Sequence, residues 1–202
     1  EFVTEQTLNN VTLADVKQNY ASYFVPETAY LVVVGDVKFK DVKKQVEKLF
    51  KDWKKASAPV AKYAEPNDVA KTQIDFVDMP NAVQSEIALV NAVELRMTDK
   101  DYFAAVMANQ ILGGGGEGRL FLNLREANGW TYGAYSSIGS GKYTSKFKAT
   151  ASVRNSVTDS AVVEFMKEIH KIRTEKVTED ELKLAKAKFI GNFVMGTQKP
   201  GT

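Results

Sequence analysis

The 202-residue chain has no cysteine and a single histidine. The first absence excludes disulfides, thiol nucleophiles and thiolate-ligated zinc, and leaves the redox compartment open. The second excludes more. A zinc hydrolase built on H-x-x-E-H needs two imidazoles on one helix face, so this chain cannot form that site alone. His170 falls on the polar side of a helical pattern, the ordinary setting of a solvated side chain. A Ser-His-Asp triad would need the same residue, and no serine stands in a G-x-S-x-G context. Charge of one sign is also lacking: 27 Lys and Arg against 25 Asp and Glu leave a net +2. That balance argues against a general nucleic-acid or membrane-surface role. No apolar run approaches the ~20 residues of a spanning helix, so membrane insertion is not expected. What remains is ordinary: 44% hydrophobic and 26% charged residues suit a buried core and not a disordered chain.

Along the chain, Leu13, Val16, Tyr20 and Phe24 recur at helical spacing behind Thr12 and Asp15, an approximate capping box, and Pro26 stops that helix. Ala29 to Val34 is a short β-branched run ending at Gly35-Asp36 and reads as a strand buried on both faces. Phe39, Val42, Val46, Leu49, Phe50 and Trp53 mark a second helix, and Lys43, Lys44, Lys48, Lys51 and Lys54 form its solvated side. Residues 56–70 lose periodicity and gather Ser57, Pro59, Pro66, Asn67 and Asp68, which reads as a linker. Beyond it, strands are expected at Thr72–Val77, Gln84–Val93, Thr131–Ile138 and Ser145–Val153, with a turn at Asp78–Asn81 after the first. Helices are expected after Thr98-Asp99, at Arg119–Ala127, at Asp159–Thr174 and from Thr178 onward, the last without a stop signal before Thr202. Strand pairs on short turns, with helices in blocks, predict an α+β fold in which helices cover an antiparallel-rich sheet.

Gly113-Gly114-Gly115-Gly116-Glu117-Gly118 formally satisfies G-x-G-x-x-G, yet a helix and not a strand precedes it. It also opens like a phosphate-binding loop, but Arg119-Leu120 replaces the Lys-Ser/Thr pair. Nucleotide binding is therefore not expected. A turn that supplies positive φ at a helix end accounts for the glycines, as does close approach of another backbone or of an extended peptide. Arg125 and Tyr132 stand seven positions apart, across a helix end and a glycine turn, and can converge. Together they offer donors to carbonyl oxygens but neither a nucleophile nor a base. Pairing of Arg125 with Glu126 or with the helix end, and packing of Tyr132 on a sheet, account for them equally well.

The run Leu112-Gly113-Gly114, Gly118-Arg119-Leu120-Phe121, Leu124-Arg125-Glu126, Gly129 and Thr131-Tyr132-Gly133 resembles the insulinase-like, or pitrilysin-like, M16 zinc metallopeptidases. It matches the segment that carries their substrate-binding arginine and tyrosine. Tyr23-Phe24-Val25-Pro26 leading to Leu31-Val32-Val33-Val34-Gly35-Asp36 resembles the same family, as does Glu179-Asp180-Glu181-Leu182 before Ala185-Lys186; the likeness runs from about Thr12 to Ile190. The resemblance implies the M16 metallohydrolase fold of the mitochondrial-processing-peptidase and LuxS type, and one half of a clamshell peptidase. It implies that Arg125 and Tyr132, with Gly113, Gly114, Gly115 and Gly116 alongside, bind an extended peptide substrate as an added strand. The zinc motif is absent, so no cofactor is expected in this chain, and zinc is expected in a partner subunit or another part of the parent chain.

By the same analogy residues 1–55 resemble the end of one M16 unit, 56–70 a linker, and 71–202 most of a second unit. Residues 12–53 could complete that second unit within one chain or by exchange in a domain-swapped homodimer. The alternative function is an assembly module of an M16-like complex with a vestigial site. No secretory leader pattern is visible, and the bacterial periplasm is the working guess for localisation.

Overall fold

The structure, a computed structural model, describes residues 3–60, 62–64 and 69–198. The described residues form two compact units, one up to residue 64 together with 197–198 and the other from 69 to 196. Of the linker signals, Pro66, Asn67 and Asp68 lie outside the described residues.

The second unit holds the sheet. Strands β1 (Gln84–Val93), β2 (Thr131–Ile138) and β3 (Ser145–Arg154) form an antiparallel sheet in the order β1-β3-β2. Its register places Ile87 opposite Ala151 on one side, and Ala134 opposite Ala151 on the other. Helices α4 (Tyr102–Gly113), α5 (Arg119–Phe121), α6 (Thr158–Thr174) and α7 (Glu179–Gly196) complete the unit. Strict alternation along β3 buries Ala149, Ala151 and Val153, and these small side chains leave room for Phe165, Leu120 and Leu124, all fully buried. The core is therefore the inner sheet face against α4, α5 and α6. The α+β expectation holds, as do all three of these strands to within a residue.

Four expectations for single elements do not. Thr72–Val77 joins no strand, and Ile74, Phe76 and Val77 are exposed, although the turn at Asp78–Asn81 forms, with Asn81 at φ +65°. Strand-like composition measures how well a residue fits a half-covered pleated surface, and no layer covers this segment. The helix expected at Arg119–Ala127 is α-helical only to Phe121. From Leu122 to Ala127 it widens to a π-helical turn, in which the Asn128 N–H reaches back five residues to the Asn123 carbonyl at 3.1 Å. Asn123 supplies the reason: its Nδ2 donates to Glu164 at 2.7 Å and to the buried Glu168 at 2.8 Å on α6, while Asn128 donates back to it. Phe103 on α4 recurs at helical spacing with the buried Ile111, and Val162 and Met166 on α6 with the buried Phe165, a pattern that predicts one covered side for each helix, yet all three are exposed.

The first unit contains α1 (Glu5–Asn9), α2 (Leu13–Tyr23), a 3-10 turn at Pro26–Thr28 and α3 (Phe39–Phe50). The capping box at α2 is as expected: the Thr12 hydroxyl accepts the Asp15 N–H at 3.2 Å, and the Asp15 carboxylate accepts the Thr12 N–H at 2.8 Å. The strand expected at Ala29–Val34 is the fourth difference. The segment makes no ladder, and its residues Tyr30 to Val34 are 47–95% exposed. A doubly buried strand needs neighbours on both edges and layers on both faces, and none of these is present among the described residues. Phe39 and Leu49 on α3 are likewise exposed, and Val25 is the one buried hydrophobic residue described in this unit. No helix among the described residues is long and apolar enough to cross a membrane.

Candidate functional site

The site grows from the end of α4. Gly113 is buried there against β2: a Cβ on it would lie 2.5 Å from the Ser136 backbone nitrogen and 2.7 Å from the Ser136 hydroxyl. Close helix-to-strand approach therefore accounts for this glycine. Gly113→Ala is expected to cost about 1–3 kcal/mol through overpacking, measured as a lowered denaturant midpoint with the m-value unchanged. Gly115 has φ +153°, and a Cβ there would meet Lys188 Nζ at 2.5 Å. Gly114 accepts a hydrogen bond from the Gln110 side chain at 3.1 Å, and Gly116 is the exposed member of the four.

Helix α7 pins this loop with two ion pairs of opposite sense. Lys188 reaches Glu117 at 2.5 Å, and Glu181 takes Arg119 in a two-pronged bridge at 2.7 and 3.0 Å. Glu181 also caps α7, accepting the Thr178 N–H at 2.8 Å while the Thr178 hydroxyl accepts the Glu181 N–H at 3.2 Å. The Thr178-x-x-Glu181 box was readable from the sequence; the Arg119 partner, 62 residues away, was not. Chiefly the Arg119 hydrogen bonds, and then those from Thr178, pull the Glu181 carboxyl down from the ordinary 4.5 to about 2. A carboxyl lowered on folding stabilises the fold above its unfolded pKa and loses that contribution as pH falls toward the folded one. That contribution to stability is thus fully present above about pH 4.5 and lost between there and about 2, while the bridge itself persists in the folded chain down to about 2. Urea midpoints taken across this window should fall steeply for the native chain and less steeply for Glu181→Gln.

Below the loop, Phe121, Arg125 and Tyr132 converge. The π turn ends at Gly129, whose φ of +62° is a left-handed conformation that favours glycine and whose N–H bonds the Arg125 carbonyl at 2.9 Å. This turn folds β2 back, so that Tyr132 returns to Arg125. The guanidinium carbon lies 4.7 Å from the Tyr132 ring centroid, a cation–π contact. The alternative pairing with Glu126 is also made, at 3.5 Å between exposed groups, which makes it a weak anchor. The Tyr132 side chain is displayed outward, the residue being 84% exposed. Among the described residues no hydrogen bond holds the Arg125 Nη groups or the Tyr132 hydroxyl, so both keep donors free for a ligand. His170, in contrast, is exposed on α6, away from any cluster of three His, Asp or Glu side chains among the described residues.

In the sequence Phe121 stands only within the run that carries the family resemblance, with no role of its own. The structure adds it to the site: its ring lies 4.8 Å from the Arg125 guanidinium carbon and within 3.8 Å of where a Gly116 Cβ would stand. Its four-residue offset from Arg125 on one helix was the available signal.

A helix-covered antiparallel sheet thus carries a pinned glycine loop and, beside it, an arginine–tyrosine pair at a helix-to-strand turn. The sequence pattern described as Peptidase M16 inactive domain matches residues 10–189, and the chain belongs to that family. It is similar, at 23% identity over 98% of its length, to 44% of an uncharacterized zinc protease of Streptomyces coelicolor. A Bacillus subtilis protein named "probable inactive metalloprotease" is 26% identical over 67% of this chain and 31% of its own length. Among solved structures, the peptidase M16 inactive domain from Pseudomonas fluorescens superposes with a TM-score of 0.83 at 26% identity, over 93% of this chain and 45% of that one. A Helicobacter pylori protease, at 20% identity, shares the fold with a TM-score of 0.86 over 98% and 48%. The chain spans less than half the length of each of these relatives.

Proposed function

We propose that the chain is the non-catalytic, substrate-binding half of an M16-type zinc peptidase. In this reading Arg125 and Tyr132 hold peptide carbonyl oxygens and stabilise the tetrahedral intermediate, and of the four glycines the exposed Gly116 borders the peptide's path, with Gly113 packing the loop on β2. The observation that carries the reading is the Arg125–Tyr132 cation–π contact at 4.7 Å, with hydrogen-bond donors left unengaged among the described residues on an exposed surface. Preorganised donors of this kind act on charge that develops in the transition state and need no reorganisation when it forms. The residues present do not fit zinc, since the one histidine has no partner imidazole. The metal is therefore assigned to a partner subunit or to another part of the parent chain, with which the inactive half pairs.

A second reading, an assembly module whose site is vestigial, is favoured by one observation: the first unit leaves Val16, Tyr20, Val32, Phe39 and Leu49 exposed, as a surface awaiting a partner would. Exchange of residues 31–34 between two copies is the domain-swapped form of that reading and would show as a dimer in sedimentation equilibrium. Co-purification with a zinc-bearing M16 half, followed by a peptidase assay, separates the two functions. Substrate binding requires that Arg125→Ala and Tyr132→Phe slow cleavage without weakening the complex. Equal rates for wild type and both variants would leave assembly as the only role.

A further inference from the structure

The Arg125 guanidinium carbon lies over two rings at once, 4.8 Å from the Phe121 centroid and 4.7 Å from that of Tyr132. The rings are not equivalent. Tyr132 is exposed, whereas Phe121 is 8% exposed and tilts against Tyr135 at 5.9 Å between centroids. The edge of the Phe121 ring also lies 3.8 Å from the place a Gly116 Cβ would occupy. One fixed ring therefore touches the glycine loop, the guanidinium and β2. The charge pair with Glu126, 3.5 Å long and solvated, cannot set the plane of a guanidinium. A flat face beneath it can, because a planar cation stacks on an aromatic surface and keeps its N–H edges free.

We infer that Phe121 is the positioning residue of this site: its ring holds the Arg125 guanidinium plane so that the N–H fork faces peptide carbonyl oxygens before a substrate arrives. The inference rests on the reading of Arg125 as the peptide-binding group. Ordering done in the free protein is ordering that binding no longer has to supply, so the effect appears in affinity.

The test uses the 202-residue chain and two readouts. The first is the rotation rate of the Arg125 guanidinium by nitrogen-detected NMR, which needs no ligand. The second is anisotropy of a fluorescein-labelled, acetylated and amidated ten-residue peptide of Ala, Val and Ser. In Phe121→Leu the guanidinium should rotate faster and the peptide should bind about tenfold more weakly. Phe121→Trp should restore both. On an Arg125→Ala background Phe121→Leu should change affinity less than about twofold, because the two act as one unit. Pentafluorophenylalanine at position 121 keeps the shape while removing the attractive ring face, so it gives the same readings should Phe121→Leu fail to fold. Weakened binding in Arg125→Ala with wild-type rotation and affinity in Phe121→Leu overturns the inference and spares the function. Absence of peptide binding by the wild type, with faster rotation in Phe121→Leu, sinks the function and keeps the stack.

Discussion

Arg125→Ala, assayed in complex with a zinc-bearing M16 half, is expected to lower peptide cleavage by about 100-fold or more, the usual effect of removing a donor to a developing oxyanion. The loss should fall on both KM and kcat, because the guanidinium holds the peptide carbonyl oxygen in the ground state and holds it more strongly once charge develops there. Tyr132→Phe removes the hydroxyl but keeps the ring under the guanidinium, so it should cost less, about tenfold, while Tyr132→Ala should approach Arg125→Ala. Neither residue lies in the core: Tyr132 is exposed and the Arg125 side chain is 37% exposed. Their cation–π contact contributes about 0.5–1 kcal/mol at such a surface, so the thermal midpoint should barely move. An activity loss matched by a stability loss would mean that the pair is structural and would remove the basis of the proposed role.

Hydrogen exchange of the chain alone is expected to divide it sharply. Amides of β3, paired on both edges and backed by fully buried Val153, Leu124 and Phe165, should exchange only through global opening. Amides of α1, α2 and α3 should exchange orders of magnitude faster, since these helices contain no buried residue. Helices of this length derive their stability from a covered apolar face, and here Val16, Tyr20, Phe39 and Leu49 are uncovered. Adding the zinc-bearing half should raise protection in Leu13–Tyr23 and Phe39–Phe50 selectively. Uniform protection across both units in the free chain would show that the first unit has a core of its own, against the partner requirement.

How legible the molecule was in its sequence depended on where each signal was satisfied. Capping at Thr12 and Asp15 and the alternation of Phe147, Ala149, Ala151 and Val153 are local, and both appear as read. Ala29–Val34 and Thr72–Val77 carry equally strong strand composition but pair with no strand among the described residues, because a strand is completed by a neighbour and not by its own residues. At the site, Arg125 and Tyr132 were visible through their spacing around Gly129. Phe121 was hidden because a buried aromatic four residues before an arginine resembles any core position. The two ion pairs from α7 join residues 62 and 71 positions apart, a distance over which side-chain chemistry alone names no partner.

Residue order alone was enough to exclude an H-x-x-E-H zinc site and thiol chemistry in this chain, to mark three strands of an antiparallel sheet, and to point to the arginine and tyrosine. These follow from which atoms exist and from periodicities set within a few residues. Only packing in three dimensions decided that the glycine loop is clamped by α7, that the helix widens at Asn123, and that Phe121 lies against the guanidinium. Each of these depends on contacts closed between distant segments, and their energies arise only once the core around Phe165 has brought those segments together.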